Sequence, residues 1–304
     1  MVEERQTEPQ ILDGENGSLL LAKLIWNMAT IRQKRRANVV FLGGGRITSA
    51  LCAGLRLAGD QREIVVYDRH PGKLRALRQQ SGVEIARDLK SAVGNAEMLV
   101  VAVRPGSVRA MLGEVVRSQG MPPRRCVSLA AGIPLRNLRE WLPGPVRWAR
   151  AMPSPVCRIG RGLTPVSFDR GVPTSDRALV KELFARVGPV IDLPESQMDA
   201  ITATHSPTHG YHALAHLAKA AQRGGLNRKA AMIAAAHALS EGILYWRESG
   251  LSLEELLHEA ATPGGIAAAT MAAMDKAGYA RVIKKGLAAG MAQARRNAKR
   301  SSQF

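Results

Sequence analysis

Aromatic residues are few: Phe, Tyr and Trp occur four times each among 304 residues. A core of stacked rings is excluded, and small side chains must carry much of the packing. Rings this sparse, with basic residues spread along the whole chain, also argue against a nucleic-acid binder, which needs stacking platforms within a basic groove. Cysteine is confined to Cys52, Cys126 and Cys157, an odd number with no metal-ligand spacing. That excludes a disulfide framework and reads as reduced thiols of a cytoplasmic protein. No apolar run approaches the roughly 20 residues that span a bilayer, so no membrane segment is expected. Acidic residues are also scarce, 25 against 43 Lys and Arg, which leaves a formal charge of +18. A surface of that sign suits a small anionic partner.

Nearly half the residues are apolar, enough for a sizeable core, and the length fits one large domain or two ordinary ones. Residues 1–37 stand outside that pattern. They open acidic and polar, pass through a short apolar stretch broken by Lys23, and end in Arg32-Gln33-Lys34-Arg35-Arg36. Charge after the apolar part is the reverse of a secretory signal, so a disordered N-terminal extension is expected.

From Asn38 the chain alternates strands with helices. Strands are predicted at Val39–Leu42, Glu63–Tyr67, Val83–Ile85, Met98–Val103, Cys126–Leu129, Val146–Trp148 and Val190–Asp192. Helices are predicted between them, as at 46–58 and Pro71–Gln80, the latter with proline in its first turn. This alternation predicts an α/β fold, a parallel doubly wound sheet over residues 38–193. After Pro194 the strand signals stop. Alanine-rich helices are predicted at Glu195–Thr204, Gly210–Arg223, Arg228–Ser249, Leu253–Ala260, Ile266–Ala277 and Arg281–Lys299. Residues 194–304 therefore read as an all-helical domain whose small faces suit packing across a dimer.

The first strand runs into Gly43-Gly44-Gly45 and then Arg46-Ile47-Thr48 at a helix start. Gly43 allows a tight turn, and Gly45 lets a pyrophosphate approach the backbone, where the helix N-terminus offers unpaired N–H groups. Thr48 stands where the third glycine of G-x-G-x-x-G would be. Asp68, at the end of the second strand, is positioned to accept hydrogen bonds from an adenosine ribose. Its charge repels a 2′-phosphate and favours NAD, whereas Arg69 beside it keeps NADP open as a phosphate partner or adenine stack.

Six segments in order then resemble the pyrroline-5-carboxylate reductase family: the Gly43 turn, 101–105, 128–133, 152–154, 198–203 and 262–265. The resemblance implies an N-terminal Rossmann domain and a C-terminal helical dimerisation domain that interlocks with a second copy, as a homodimer or larger homo-oligomer. It implies hydride transfer from NAD(P)H to the C=N bond of a small cyclic imino acid, the proline-biosynthesis type of reduction. Carried over by residue, Ala102, Val103, Arg104 and Pro105 flank the cofactor, as do Ala130 and Gly132. Met152 and Ser154 lie beside the nicotinamide, with Ser154 replacing the family's usual Asn, and Arg46 likewise replaces an Asn.

The substrate half departs from the family. Its Ser-Gly-Ser-Gly-Pro-Ala-Tyr is here His205-Ser206-Pro207-Thr208-His209-Gly210-Tyr211, and its Ser-Pro-Gly-Gly-Thr-Thr is Thr262-Pro263-Gly264-Gly265-Ile266-Ala267. Ser206, Thr208, Thr262, Gly264 and Gly265 remain the candidate substrate contacts. His205, His209, His212 and His216 fit one helical face, although Pro207 and Gly210 interrupt it and assign His205 to the preceding turn. Three readings stay open. His205 or His209 is the general acid, with Tyr211 a further candidate donor; or the histidines bind a metal; or they are satisfied polar residues at an interface. No acidic or cysteine ligand is near them in sequence, so no metal is expected. A reductase of another imine or keto acid, and a dinucleotide-binding regulator without turnover, remain alternatives. The β-hydroxyacid dehydrogenases join similar domains but need a lysine on the first interdomain helix, and residues 195–211 contain none.

Overall fold

The computed structural model describes residues 38–94 and 96–302, with side chains to Lys299. The expectation for residues 1–37 lies outside the described residues. Eight strands form one sheet in the order β3-β2-β1-β4-β5-β6-β7-β8. They are β1 Val39–Leu42, β2 Ile64–Tyr67, β3 Glu84–Ile85, β4 Met98–Val101, β5 Arg125–Ser128, β6 Arg147–Ala151, β7 Thr164–Phe168 and β8 Val190–Asp192. Strands β1 to β6 are parallel to one another. This is the Rossmann order, and the chain reverses direction across the sheet between β1 and β4.

The all-parallel expectation needs a correction at one edge. Strand β7, which the sequence reading missed, runs antiparallel to β6, and β8 follows it in parallel. Pro165 inside β7 removes a ladder donor and ordinarily argues against a strand. Here its carbonyl accepts the Met152 N–H at 3.0 Å and the Thr164 N–H beside it donates to Pro189 O at 2.9 Å, so the ladder closes around the missing donor.

Helices cover both faces of the sheet. They are α1 Arg46–Leu57, α2 Pro71–Ser81, α3 Leu89–Gly94, α4 Val108–Arg117, α5 Leu135–Trp141 and α6 Thr174–Ala185. Strand β1 shows why both faces must be apolar: Val39 and Phe41 enter one core with Leu51, Leu55 and Phe184, while Val40 and Leu42 enter the other with Leu112, Leu138 and Trp148. Burying each such side chain stabilises the fold by about 1.5–3 kcal/mol.

The helical part comprises α7 Met198–Thr204, α8 Thr208–Arg223, α9 Arg228–Ser249, α10 Leu253–Ala260, α11 Ile266–Lys276 and α12 Tyr279–Ser302. Helix α7 is preceded by a 3₁₀ turn at Glu195–Gln197, and α8 starts two residues before its predicted Gly210. Helices α8 and α9 pack on each other through Ala218, Ala231 and Ala235, all buried. Much of the remaining apolar surface is open, including Ile243, Leu244, Tyr245 and Trp246 on α9, and Ile266 is 88% exposed. Helix α12 returns across α7 to the sheet domain and packs on the 3₁₀ turn Pro105–Ser107. Among the described residues no helix is long and apolar enough to cross a membrane.

Candidate active site

Register assembles one end of the sheet. Leu42 is paired with Tyr67 and with Val101, Val101 with Ser128, and Ser128 with Arg150. Gly43, Asp68 and Ala102, which follow directly, and Ala130, two residues past Ser128, therefore emerge together at the carboxyl edge. In an open α/β sheet that edge, at the strand reversal, is where a dinucleotide binds.

The glycine turn is held from three sides. Gly43 N–H donates to Tyr67 O at 2.7 Å, and Thr48 Oγ1–H donates to Gly43 O at 2.6 Å. Thr48 is fully buried and ties helix α1 to the strand end, which is how this chain closes the turn without a third glycine. Gly44 N–H donates to Asp68 Oδ2 at 2.8 Å. Gly43 has φ +113°, and a Cβ there would lie 2.8 Å from Ala102 O. Gly45 is different: a Cβ there would meet nothing within 4 Å. Protein packing does not demand a glycine at 45. The open space lies at the N-terminus of α1, whose unpaired N–H groups suit an anion. Arg46 is exposed at that mouth, Ile47 packs on the core beneath, and the Arg158 guanidinium donates to Ser49 Oγ at 2.9 Å one turn along.

Asp68 is first of all a brace for that turn. Its Oδ1 accepts His70 N–H at 2.9 Å and lies 2.9 Å from His70 Nδ1, and Lys73 is 3.9 Å from Oδ2. Burial alone would raise this carboxyl, but the hydrogen bonds from Gly44 and His70, with Lys73 nearby, hold it below the usual carboxylate range. A carboxylate offers about four acceptor positions, so one remains for a ribose hydroxyl. Arg69 turns toward Glu114 at 3.6 Å, an exposed pair that is weak enough to release.

Beyond the turn, Ala102 and Val103 are half-buried, Arg104 is exposed, and Pro105 opens a 3₁₀ turn. At the next strand end Ala130 is buried and Gly132 has φ +80°. A Cβ on Gly132 would overlap the Ala294 carbonyl, and Asn297 Nδ2 donates to Ala131 O at 3.4 Å. The C-terminal helix thus touches the candidate cofactor loop, a contact across more than 160 residues that no local pattern announces. Ser154 is buried, and its hydroxyl accepts the Val156 N–H at 3.4 Å, so it caps the turn that packs on α1.

The substrate half divides in two. His205 is the C-cap of α7, as the Pro207 break implies, and its Nε2 lies 2.8 Å from Met152 O. This contact ties the residue before the loop Ser206–Tyr211 to the end of β6. Ser206 Oγ–H donates to Thr208 Oγ1 at 2.9 Å at the start of α8. His209 is exposed, with Nε2 2.8 Å from Ala203 O, and Tyr211 is 66% exposed. The His212 and His216 ring centroids lie 4.1 Å apart with the planes tilted by 37°, and His216 Nδ1 lies 2.8 Å from His212 O. Among the described residues no three His, Cys, Asp or Glu side chains gather as a metal site requires. Thr262, Gly264 and Gly265 are not brought to this loop: they form a turn before α11, closed by Gly265 N–H on Thr262 O at 2.9 Å.

Arg150 was missed by the sequence reading. It is 3% exposed inside β6, with Nη1 3.3 Å from Glu195 and Nη2 3.6 Å from Asp199. The only local signal is a second arginine in a strand that opens with Arg147; its partners come 45 and 49 residues later. The thiols take no part, since burial pushes Cys52 up to about 12 and Cys157 up to about 11.

Residues 38–132 match the family described as NADP oxidoreductase coenzyme F420-dependent, and residues 195–297 match the pyrroline-5-carboxylate reductase dimerisation family. A pyrroline-5-carboxylate reductase of Mycobacterium leprae (strain TN) is 33% identical over 211 residues, covering 67% of this chain and 71% of the relative. One from Mycobacterium tuberculosis (strain ATCC 25618 / H37Rv) is 29% identical over 268 residues, covering 80% and 90%. The fold superposes on a pyrroline-5-carboxylate reductase from Coxiella burnetii with TM-score 0.78, at 24% identity over 87% of this chain and 99% of that one. It matches the Plasmodium falciparum pyrroline carboxylate reductase, solved with NADP bound, with TM-score 0.77 at 18% identity over 87% and 99%.

Proposed function

The chain belongs to the pyrroline-5-carboxylate reductase family and is an NAD(P)H-dependent oxidoreductase; on that premise we propose that it reduces the C=N bond of a small cyclic imino acid, pyrroline-5-carboxylate being the first to test. The observation that carries this reading is the 2.8 Å contact of His205 with Met152 O, which joins the altered substrate loop to the end of the dinucleotide sheet. We assign residues 38–193 to dinucleotide binding and 194–304 to substrate binding and dimerisation.

When bound, the reduced nicotinamide supplies the hydride. The turn Gly43–Thr48 holds the pyrophosphate, Ala102–Pro105 and Ala130–Gly132 flank the cofactor, and Met152 and Ser154 border its nicotinamide end. The Ser206 and Thr208 hydroxyls and the N-terminus of α8 hold the substrate carboxylate. His209 delivers the proton. With Nε2–H donated to Ala203 O, its Nδ1 remains free to carry the proton that the reduced nitrogen needs. Tyr211 offers a second hydroxyl on the same helix. Thr262, Gly264 and Gly265 serve the site of a second copy, a reading supported by their exposure and by the uncovered apolar surface of α9.

NADH is the preferred form. The Asp68 carboxylate, held at the turn by Gly44 N–H, repels a 2′-phosphate. An Asp68→Ala variant should lose about 10-fold or more in NADH affinity, the value of one charge-assisted hydrogen bond, and lose less for NADPH. Equal losses in a fluorescence titration would remove Asp68 as the selector.

His209→Ala should lower turnover of pyrroline-5-carboxylate by roughly 10²–10⁴-fold, the range for a general acid, at unchanged dinucleotide affinity. Full turnover in that variant would return His209 to a passive role. A wild-type protein that binds NADH but leaves pyrroline-5-carboxylate unreduced would redirect the search to another imine or keto acid.

A further inference from the structure

His205 stood among the candidate acids, yet its ring is fully engaged by the protein. Nδ1 lies 2.7 Å from Ile201 O, one turn back in α7, and Nε2 lies 2.8 Å from Met152 O, at the end of β6. Two carbonyl acceptors therefore face one half-buried ring, and no ring nitrogen is left to serve a substrate. The same helix is gripped at its other end. Asp199 in its first turn and Glu195 just before it meet the buried Arg150, which lies on β6 two residues before Met152. Glu195 also accepts the Leu135 N–H. Helix α12 closes over the outer side, where a Cβ on Gly290 would come 3.1 Å from the Ala203 side chain. Finally, the last turn of α7 carries the acceptor for His209, whose Nε2 rests on Ala203 O.

From this arrangement we infer that His205 is a positioning residue: a strut from β6 to the last turn of α7 that sets the distance between the nicotinamide border at Met152 and His209 with the Ser206–Thr208 loop. Arg150 anchors the near end of α7 and His205 the far end, so the helix is fixed at two points to a single strand. A strut of this kind must reach about 50 residues back along the chain and present an N–H to Met152 O, which the imidazole does from Nε2 in one neutral tautomer. A serine, which the family carries here, is too short to bridge them.

The inference rests on the functional reading above, and its test has two independent readouts. In the full chain, His205→Ala should lower kcat/KM for the imino acid about 100-fold, as a small misplacement of reacting groups does, with the Kd for NADH unchanged. His205→Gln retains an N–H able to reach Met152 O and should recover most of that loss, with both limbs of the wild-type pH profile of kcat. If His205 were the acid, Gln would be as inactive as Ala and one limb would vanish; that result overturns the inference. Hydrogen–deuterium exchange reads the strut without turnover. Amides of residues 205–211 should exchange about 10-fold faster in the alanine variant, the loss of roughly one hydrogen bond, and near the wild-type rate in the glutamine variant. Unchanged exchange in the alanine variant overturns the inference whether or not any imino acid is reduced. Should the alanine variant fail to fold, His205→Ser takes its place with the same expectations.

Discussion

Gly43→Ala is expected to weaken NADH binding about 100-fold, because backbone strain of 1–3 kcal/mol must be released by moving the very segments that meet the cofactor. The backbone at 43 has φ +113°, outside the range that side chains adopt, so the residue is strained whatever space surrounds it. Space is also lacking. The added Cβ would face Ala102 O at 2.8 Å and Val103 N at 3.1 Å, both backbone atoms in the loop after β4. Neither can swing aside as a side chain would. Either the turn lifts from Tyr67 O and Asp68, or the Ala102–Pro105 loop retreats, and each movement opens the crevice. Fluorescence titration with NADH measures the loss, and a thermal scan checks that the sheet persists. Gly45→Ala supplies the contrast: no protein atom opposes its Cβ, so its stability should match the wild type while binding still falls. Full binding by the Gly43 variant would show that the cofactor does not depend on this turn.

Asp60→Ala is expected to cost about 3–5 kcal/mol of folding stability, the range for breaking one partner of a buried ion pair. Asp60 is fully buried, and Arg62 beside it is 5% exposed. The carboxylate accepts Arg62 N–H at 3.0 Å and Nε–H at 2.9 Å, pairs with Nη2 at 2.9 Å, and meets Arg186 Nε at 3.4 Å. Arg56 donates to Asp60 O at 2.7 Å and to Arg62 O at 3.1 Å. Asp60 thus joins the end of α1 through its carbonyl, and the turn into β2 and the end of α6 through its carboxylate. Alanine would leave the Arg62 guanidinium in the interior with only the half-exposed Glu182, 3.5 Å away, as counter-charge. The Asp60→Ala/Arg62→Leu double variant should recover part of the loss, since it removes the orphaned charge as well. Urea unfolding followed by circular dichroism reads both. A single variant within about 1 kcal/mol of the wild type, the worth of a surface pair, would mean that the cluster is hydrated and contributes little.

The two halves of the candidate site differed in how far the sequence revealed them. The cofactor half is local. A strand, three glycines, a helix start and an acid one strand later are read along the chain, because parallel register delivers successive strand ends to one edge. The histidines were visible as a group, and Pro207 already separated His205 from the rest. Their roles were not visible. The spacing of 205 and 209 suits one helical face, yet the two rings hang on different carbonyls, Met152 O and Ala203 O. Strand β7 escaped for the opposite reason: Pro165 weakens the local signal, and pairing with both β6 and β8 restores it.

The α/β sheet followed by helices, the glycine turn, the acid one strand later and the family were legible along the chain; each depends on periodicity or on short motifs in order. Only the tertiary structure decided that Asp68 braces the turn it faces, that Arg150 is buried among acids from another segment, that α12 reaches Ala131 and Gly132, and that His205 spans from α7 to β6. The physical reason is the same in each case. A buried polar group must find its partner wherever packing brings one, and that partner can stand anywhere along the chain.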